Sequence, residues 1–268
     1  MSGDDAPPTS TVTATVDLTI AGRPGRLEIA VPTGLVRAVE LLPLLQSLTD
    51  TLVNVAAENA EADGARISCR KGCGACCRQL VPISEVEAES IRRVVHELPE
   101  PRRNAVMERF AAARRGLDAA GLLDRLHAPD RVTREDLLPL GVAYFEQGIP
   151  CPFLVDESCS IHADRPLSCR EYLVVSPAAN CAKPSASTIK LIPMPMKVSS
   201  AAKHLAPHQK GAGPSWIPLI LALEWPVANA ESSAPRTGTS MMVSVLSHLF
   251  GKEIPLPPPD DAGTRPST

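Results

Sequence analysis

The side chains able to do chemistry sit mainly in two short stretches. The first runs Cys69-Arg70-Lys71-Gly72-Cys73-Gly74-Ala75-Cys76-Cys77, and the second extends from Cys151 through Cys159 to Cys169-Arg170. They hold seven of the eight cysteines, and Cys181 follows closely. Thiolate is the species that binds Zn²⁺ or iron. Four sulfur ligands suit a tetrahedral ion or an iron–sulfur cluster. A gap of two or three residues lets cysteines on one loop reach the same centre, as Cys69, Cys73 and Cys76 can. Adjacent Cys76 and Cys77 point different ways in most backbone conformations, so they serve different centres or opposite sides of one cluster. The candidate ligands are Cys69, Cys73, Cys76, Cys77, Cys151, Cys159, Cys169 and Cys181. These exceed what one four-ligand centre uses, which implies two centres or one centre with spare thiols.

A thiolate cluster needs nearby positive charge. Arg70, Arg78 and Arg170 each adjoin a cysteine, Lys71 lies two residues from Cys69 and Cys73, and Arg165 lies four residues before Cys169. Four thiolates around a 2+ centre leave a formal charge of about −2 for such cations to offset. Any one of them reads equally well as solvated surface; five so placed are the stronger argument. His162, three residues after Cys159, has the spacing of a nitrogen ligand, although an isolated surface histidine is the commoner case. His96, His127, His204, His208 and His248 form no pattern and read as structural. Gly72 and Gly74 are followed by no phosphate-loop Lys-Ser/Thr. Glu85, Glu87 and Glu89 read as helix N-terminal charge. No Ser/His/Asp elbow is present.

The whole chain sets the setting. Its 268 residues are 44% hydrophobic but only 3% aromatic. They can therefore bury a substantial core built on Leu, Val, Ile and Ala. A net charge of −3 gives no reason to expect nucleic acid or an anionic membrane as partner. The first residues carry neither a basic nor an apolar signal region, and no apolar run reaches membrane-spanning length. The expectation is a soluble cytoplasmic protein, where thiols stay reduced and clustered cysteines read as metal ligands before disulfides.

The elements that position these stretches follow from periodicity. Val12, Ala14, Val16, Leu18 and Ile20 alternate with polar residues, as do Leu27, Ile29 and Val31, which predicts a β-hairpin turning at Gly22–Gly25. Leu35 to Ala60 reads as one long helix bent at Pro43 and closed by Gly64. Ser84-Glu85-Val86-Glu87 is a capping box that opens a helix through Leu98. Pro101 starts another helix, with Val106, Phe110, Ala113 and Leu117 on one face. Leu137 to Phe145 reads as a shorter helix. The second cysteine stretch reads as loop held by Pro152 and Pro166. Beyond Cys181, Thr188 to Val198 looks extended, Trp216 to Leu223 a buried helix, Ala228 to Thr239 a polar linker, and Ser240 to Phe250 a final helix closed by Gly251. Residues 1–10 and 255–268 read as loose. The expected class is mainly α (α+β), a helical scaffold with a small N-terminal β-hairpin and a loop-borne cysteine cluster. Its expected divisions are 1–64, 65–182 and 183–268.

At Cys69–Cys77, Cys151-Pro152-Phe153-Leu154, Cys159-Ser160-Ile161 and Arg165-Pro166-Leu167-Ser168-Cys169-Arg170-Glu171-Tyr172 the chain resembles the YkgJ-type CxxCxxCC family, named for zinc or iron chelation. The eight-cysteine count agrees with the family's. His162 departs from the usual Tyr, and the first gap is three residues instead of two. The resemblance implies a metal or iron–sulfur centre. Similar cysteine patterns occur in flagellin lysine methylases, which are larger. The reading is a metal-binding protein holding zinc or an iron–sulfur cluster, with a 4Fe–4S cluster preferred for its fit to adjacent cysteines. The alternatives are an iron–sulfur-dependent oxidoreductase or methylase-like protein-modifying enzyme, and a structural zinc module for protein interaction.

Overall fold

The computed structural model describes residues 10–20, 23–70, 72–185, 187–194, 196–205, 216–225 and 234–254. The expected hairpin forms from β1 (Thr11–Ile20) and β2 (Arg23–Pro32), paired antiparallel. Val12, Ala14, Val16, Leu27, Ile29 and Val31 are buried, all on one face, as period-two alternation requires. The turn differs from expectation. Ile20 pairs with Arg23, so Arg23-Pro24-Gly25 belong to the strand and the connection falls at residues 21–22, outside the described residues. In a two-stranded ribbon β2 is an edge strand, where Pro24 costs no ladder bond that the fold needs.

The long helix begins later than its apolar spacing suggests. Leu35–Val36 instead pairs with Arg236–Thr237, and a 3₁₀ turn (Ala38–Leu41) leads into α1 (Leu42–Ala62). Pro43 sits in the first turn of α1, where its missing N–H is not needed, so it opens the helix and does not bend it. α2 (Glu85–Glu97) starts at the expected capping box: Ser84 Oγ accepts from the Glu87 N–H, and Glu87 Oε2 accepts from the Ser84 N–H. α3 (Glu100–Ala119) buries Val106, Phe110, Ala113 and Leu117, the face its spacing predicts.

A short α4 (Leu123–His127) follows, unforeseen in the sequence. α5 (Arg134–Glu146) starts three residues before the expected helix because Thr133 caps it, accepting from the Asp136 N–H; Pro139 lies inside it. The second cysteine stretch is more ordered than a loop. It contains a tight hairpin (Leu154–Val155 with Ser158–Cys159), a 3₁₀ turn (His162–Asp164) and α6 (Leu167–Glu171).

Beyond Cys181, the segment expected to be extended contributes one bridge, Val174 to Leu191, and then α7 (Val198–Ala201). Where a buried helix was expected, Ile217–Pro218 pairs antiparallel with Pro82–Ile83 and only a single 3₁₀ turn, Leu219–Leu221, follows. The first half of the expected polar linker (228–233) and the terminal segments 1–9 and 255–268 lie outside the described residues; the second half is not linker, since Arg236–Thr237 pairs with Leu35–Val36 and Gly238 already begins the final helix. α8 (Gly238–Phe250) is capped by Thr237 and ends at Gly251, as expected at its C-terminus.

Three apolar clusters hold these elements. The first joins the hairpin, α1, Leu167, α7 and α8. The second joins α2 and α3 to Phe153, Ile161 and Ile217, and includes an edge-to-face contact of Phe110 and Phe153 at 5.5 Å. The third packs α3, α4 and α5 around Trp216 and Leu221. The architecture is mainly α with a small N-terminal antiparallel hairpin, as expected. No helix among the described residues is long and apolar enough to cross a membrane.

Candidate metal centre

The first cysteine loop leaves α1 and is tied down at once. Ser68 N–H donates to the Val174 carbonyl at 2.9 Å, and Val174 N–H donates to Cys69 Sγ at 3.3 Å. Gly72 turns the chain at φ +83, a conformation that favours glycine. Gly74 serves a different purpose, close approach. A Cβ there would stand 2.6 Å from Leu154 Cδ1, 2.7 Å from Glu157 Oε2 and 3.0 Å from the Glu157 carbonyl oxygen. The hairpin it presses on reverses at Asp156 and Glu157, both at positive φ.

Arg78 locks this contact. Its guanidinium donates to both Glu157 carboxylate oxygens, at 2.7 and 3.2 Å, and to the Gly74 carbonyl at 3.0 Å. A 3₁₀ turn, Ala75–Arg78, carries Cys76 and Cys77, and the Cys77 carbonyl accepts the Cys151 N–H at 2.7 Å. Another 3₁₀ turn, Ala178–Ala182, carries Cys181 and packs against it. α6 carries Cys169.

All eight cysteines are free thiols, seven of them half-buried and Cys181 buried. Cys76 is central: a charge on it is felt at Cys69, Cys151, Cys159, Cys169 and Cys181, and its thiol hydrogen bonds with Cys77. Cys73 faces Cys69 and Cys181. Burial raises the thiol pKa of Cys69, Cys159 and Cys181, raises that of Cys169 strongly, and pushes Cys151 up to about 11. Cys76 is raised most by its hydrogen bond with Cys77, then by burial. Among the described residues, no three Cys, His, Asp or Glu side chains already surround a common point as ligands of one ion.

The cations sort differently from their sequence positions. Arg165 is close enough for its charge to act on Cys69, Cys76 and Cys159, and its Nε is buried without a hydrogen-bond partner. Arg78 lies near Cys77 but commits its donors to Glu157 and Gly74. The guanidinium of Arg170 is committed elsewhere. Only 6% exposed, it bonds Asp50 of α1 at 2.7 Å, the Arg165 carbonyl at 3.1 Å and the Ala163 carbonyl. Lys71 lies outside the described residues. His162 is exposed on its 3₁₀ turn.

Two neighbours have no local sequence signal. The charge of Arg109, on α3, is felt at Cys151, and its guanidinium donates to the Leu154 carbonyl at 3.2 Å. Tyr172, beside Cys69, Cys76 and Cys181, accepts from Gln79 Nε2 at 3.1 Å. Tyr172 falls within the resembling motif, but only the packing shows what it faces.

The donor set fits a zinc or iron centre. It is all thiol, seven cysteines half-buried and Cys181 buried. Arg165 and Arg109 are close enough for their charges to act on it, and the buried Nε–H of Arg165 has no acceptor. A thiolate-ligated centre with net negative charge would balance both features. Residues 68–187, which include all eight cysteines, match the family model CxxCxxCC, described as a "Putative zinc- or iron-chelating domain". The match supports metal binding by this segment, which is less than half of the chain. No curated protein and no solved structure matches the chain significantly.

Proposed function

We propose that the protein binds a metal centre through Cys69, Cys73, Cys76, Cys77, Cys151, Cys159, Cys169 and Cys181, and that an iron–sulfur cluster suits these ligands better than a single zinc ion. What supports this reading is that Cys69, Cys77, Cys151, Cys159, Cys169 and Cys181, from separate segments, all lie within electrostatic reach of Cys76, with Arg165 and Arg109 close enough to act on them. A tetrahedral ion uses four thiolates and would leave the rest as unligated thiols. A cluster spreads its ligands over a larger volume, and adjacent Cys76 and Cys77 can then serve different sides of it. Such a cluster supplies one-electron exchange. The chain's own part is to hold thiolates in register, exclude water and balance charge through Arg165 and Arg109. The Cys159-Ser160-Ile161 and Arg165-Pro166 pattern supports a YkgJ-type member of the chelating family; a cytoplasmic setting, where clustered thiols stay reduced, suits this reading.

Anaerobic purification followed by iron, sulfide and zinc analysis and a visible spectrum tests this reading. The expected result is iron with matching sulfide and a brown chromophore. One zinc per chain without colour overturns the cluster assignment in favour of a structural zinc module. Absence of both metals after reconstitution overturns metal binding itself.

A further inference from the structure

Three carboxylates tie α6, the five-residue helix that carries Cys169, to its neighbours: Glu87 and Asp50 reach it from α2 and α1, and its own Glu171 reaches out to α7. Glu87, on α2, is 2% exposed. Its Oε2 accepts from the Ser84 N–H at 2.7 Å and the Ser84 hydroxyl at 2.8 Å, completing the capping box. Its Oε1 does more, accepting from the backbone N–H of Leu167 at 2.8 Å, the first residue of α6. Asp50, on α1, pairs with Arg170 at 2.7 Å. Glu171, the last residue of α6, accepts from the Ser199 N–H at 2.9 Å and from the Ser199 hydroxyl, both on α7. Leu167 meanwhile is fully buried in the first apolar cluster. A helix this short has almost no stability of its own. Its place is set by α1, α2 and α7, and two of these, α1 and α7, lie outside the segment that matches the chelating family.

We propose that Glu87 is a positioning residue for Cys169, assisted by Asp50, so that Cys169 is held in place before any metal arrives while the loop-borne cysteines adjust to it. This rests on the metal-binding reading above. In that arrangement α2 uses one carboxylate both to start its own helix and to fix a ligand segment that begins 80 residues later in the chain. An interaction that orients a ligand residue typically governs metal affinity by about 10- to 100-fold. The scaffold beyond the family segment thus takes part in the site by aiming one thiol, and contributes no ligand.

The test compares the wild-type chain with Glu87→Gln and with Asp50→Asn. Glutamine in place of Glu87 keeps the size but turns its amide nitrogen toward one of two backbone donors, so one grip is lost. Asp50 is half exposed, and its replacement should leave folding intact. In the metal-free chains, alkylation mapped by mass spectrometry should show slow labelling of Cys169 in wild type and faster labelling of Cys169, but not Cys73, in both variants. Cobalt(II) titrated against a competing chelator should bind both variants about 10-fold or more weakly, with a weaker thiolate-to-cobalt charge-transfer band. Labelling of Cys169 and cobalt affinity both unchanged would overturn the proposal, as would faster labelling of all cysteines alike, which means general loosening. A wild-type chain that takes up no cobalt would instead overturn the metal-binding reading. The alkylation pattern would still decide whether Glu87 positions Cys169.

Discussion

Thiols withdrawn from water hold their protons, and a metal must displace them. Six of the eight cysteines have raised thiol pKa values, with Cys151 at about 11. The ligating species is the thiolate, so each Cys that binds releases a proton, and rising pH favours uptake. Apparent metal affinity is expected to climb between about pH 6 and about pH 8, with more than one proton released per ion. Competition titration at several pH values, paired with proton-release measurement, checks this; a flat affinity profile would sink it. The residue scale also separates cations that look alike in sequence. Arg165 acts on the thiols and has a buried unpaired N–H, whereas Arg170 is consumed by Asp50 and two carbonyl groups. Substituting Arg165 therefore acts on the centre's charge, and substituting Arg170 acts on the seat of α6.

At the scale of elements, the decisive contact is between the first cysteine loop and the hairpin that ends at Cys159. It depends on Gly74. An alanine there meets two flexible side-chain ends, Leu154 Cδ1 and Glu157 Oε2, but also the Glu157 carbonyl, which belongs to a tight turn at positive φ and cannot easily yield. Overpacking of this kind costs typically about 1–3 kcal/mol. Gly74→Ala is expected to lower stability by about that amount and to reduce bound metal, because it pushes Cys73, Cys76 and Cys77 away from Cys151 and Cys159. Denaturant melts and metal analysis on the same preparation check both effects. Full metal content at wild-type stability would show that the two stretches do not need this approach. Gly72→Ala strains a positive-φ turn without that clash, so it separates backbone conformation from packing.

Across the whole molecule, stability is uneven. α1 buries Leu42, Leu45, Leu48 and Leu52 against the hairpin, α6 and α8, whereas the first cysteine loop, Cys69–Arg78, puts none of its described side chains into an apolar cluster and relies on polar ties such as Arg78 to Glu157; the second stretch is anchored through Phe153 and Ile161. Metal removal is expected to reduce hydrogen-exchange protection across residues 69–80 far more than across 42–62, since that loop has little else to hold it, and to a smaller degree across 150–166, which Phe153 and Ile161 also anchor. α6, gripped from three sides, should lose less than the loops around it. Equal protection of all segments in loaded and metal-free protein would make the metal a bystander to the fold.

Much of this was legible in the sequence because it is local. Period-two alternation marked the hairpin, 3.6-residue spacing marked the buried face of α3, and the Ser84–Glu87 capping box marked the start of α2. Cysteine spacing singled out all eight thiols. Equivalent start signals at Thr133 and Thr237 were present too, and they account for helices that begin earlier than apolar spacing alone suggests. What tertiary structure decided is non-local. Whether Leu35–Val36 continues a helix or pairs with Arg236–Thr237 depends on a strand near the far end of the chain. Whether Leu167–Glu171 is loop or helix depends on Asp50, Glu87 and Ser199, because so short a helix exists only where its ends are held. Which arginine acts on the thiols follows from packing, not adjacency: the charge of Arg109 is felt at Cys151 from α3, while the guanidinium of Arg170 is committed to Asp50 and two carbonyls. Spacing along a chain encodes which residues can act, and only the burial of one element against another determines what they face.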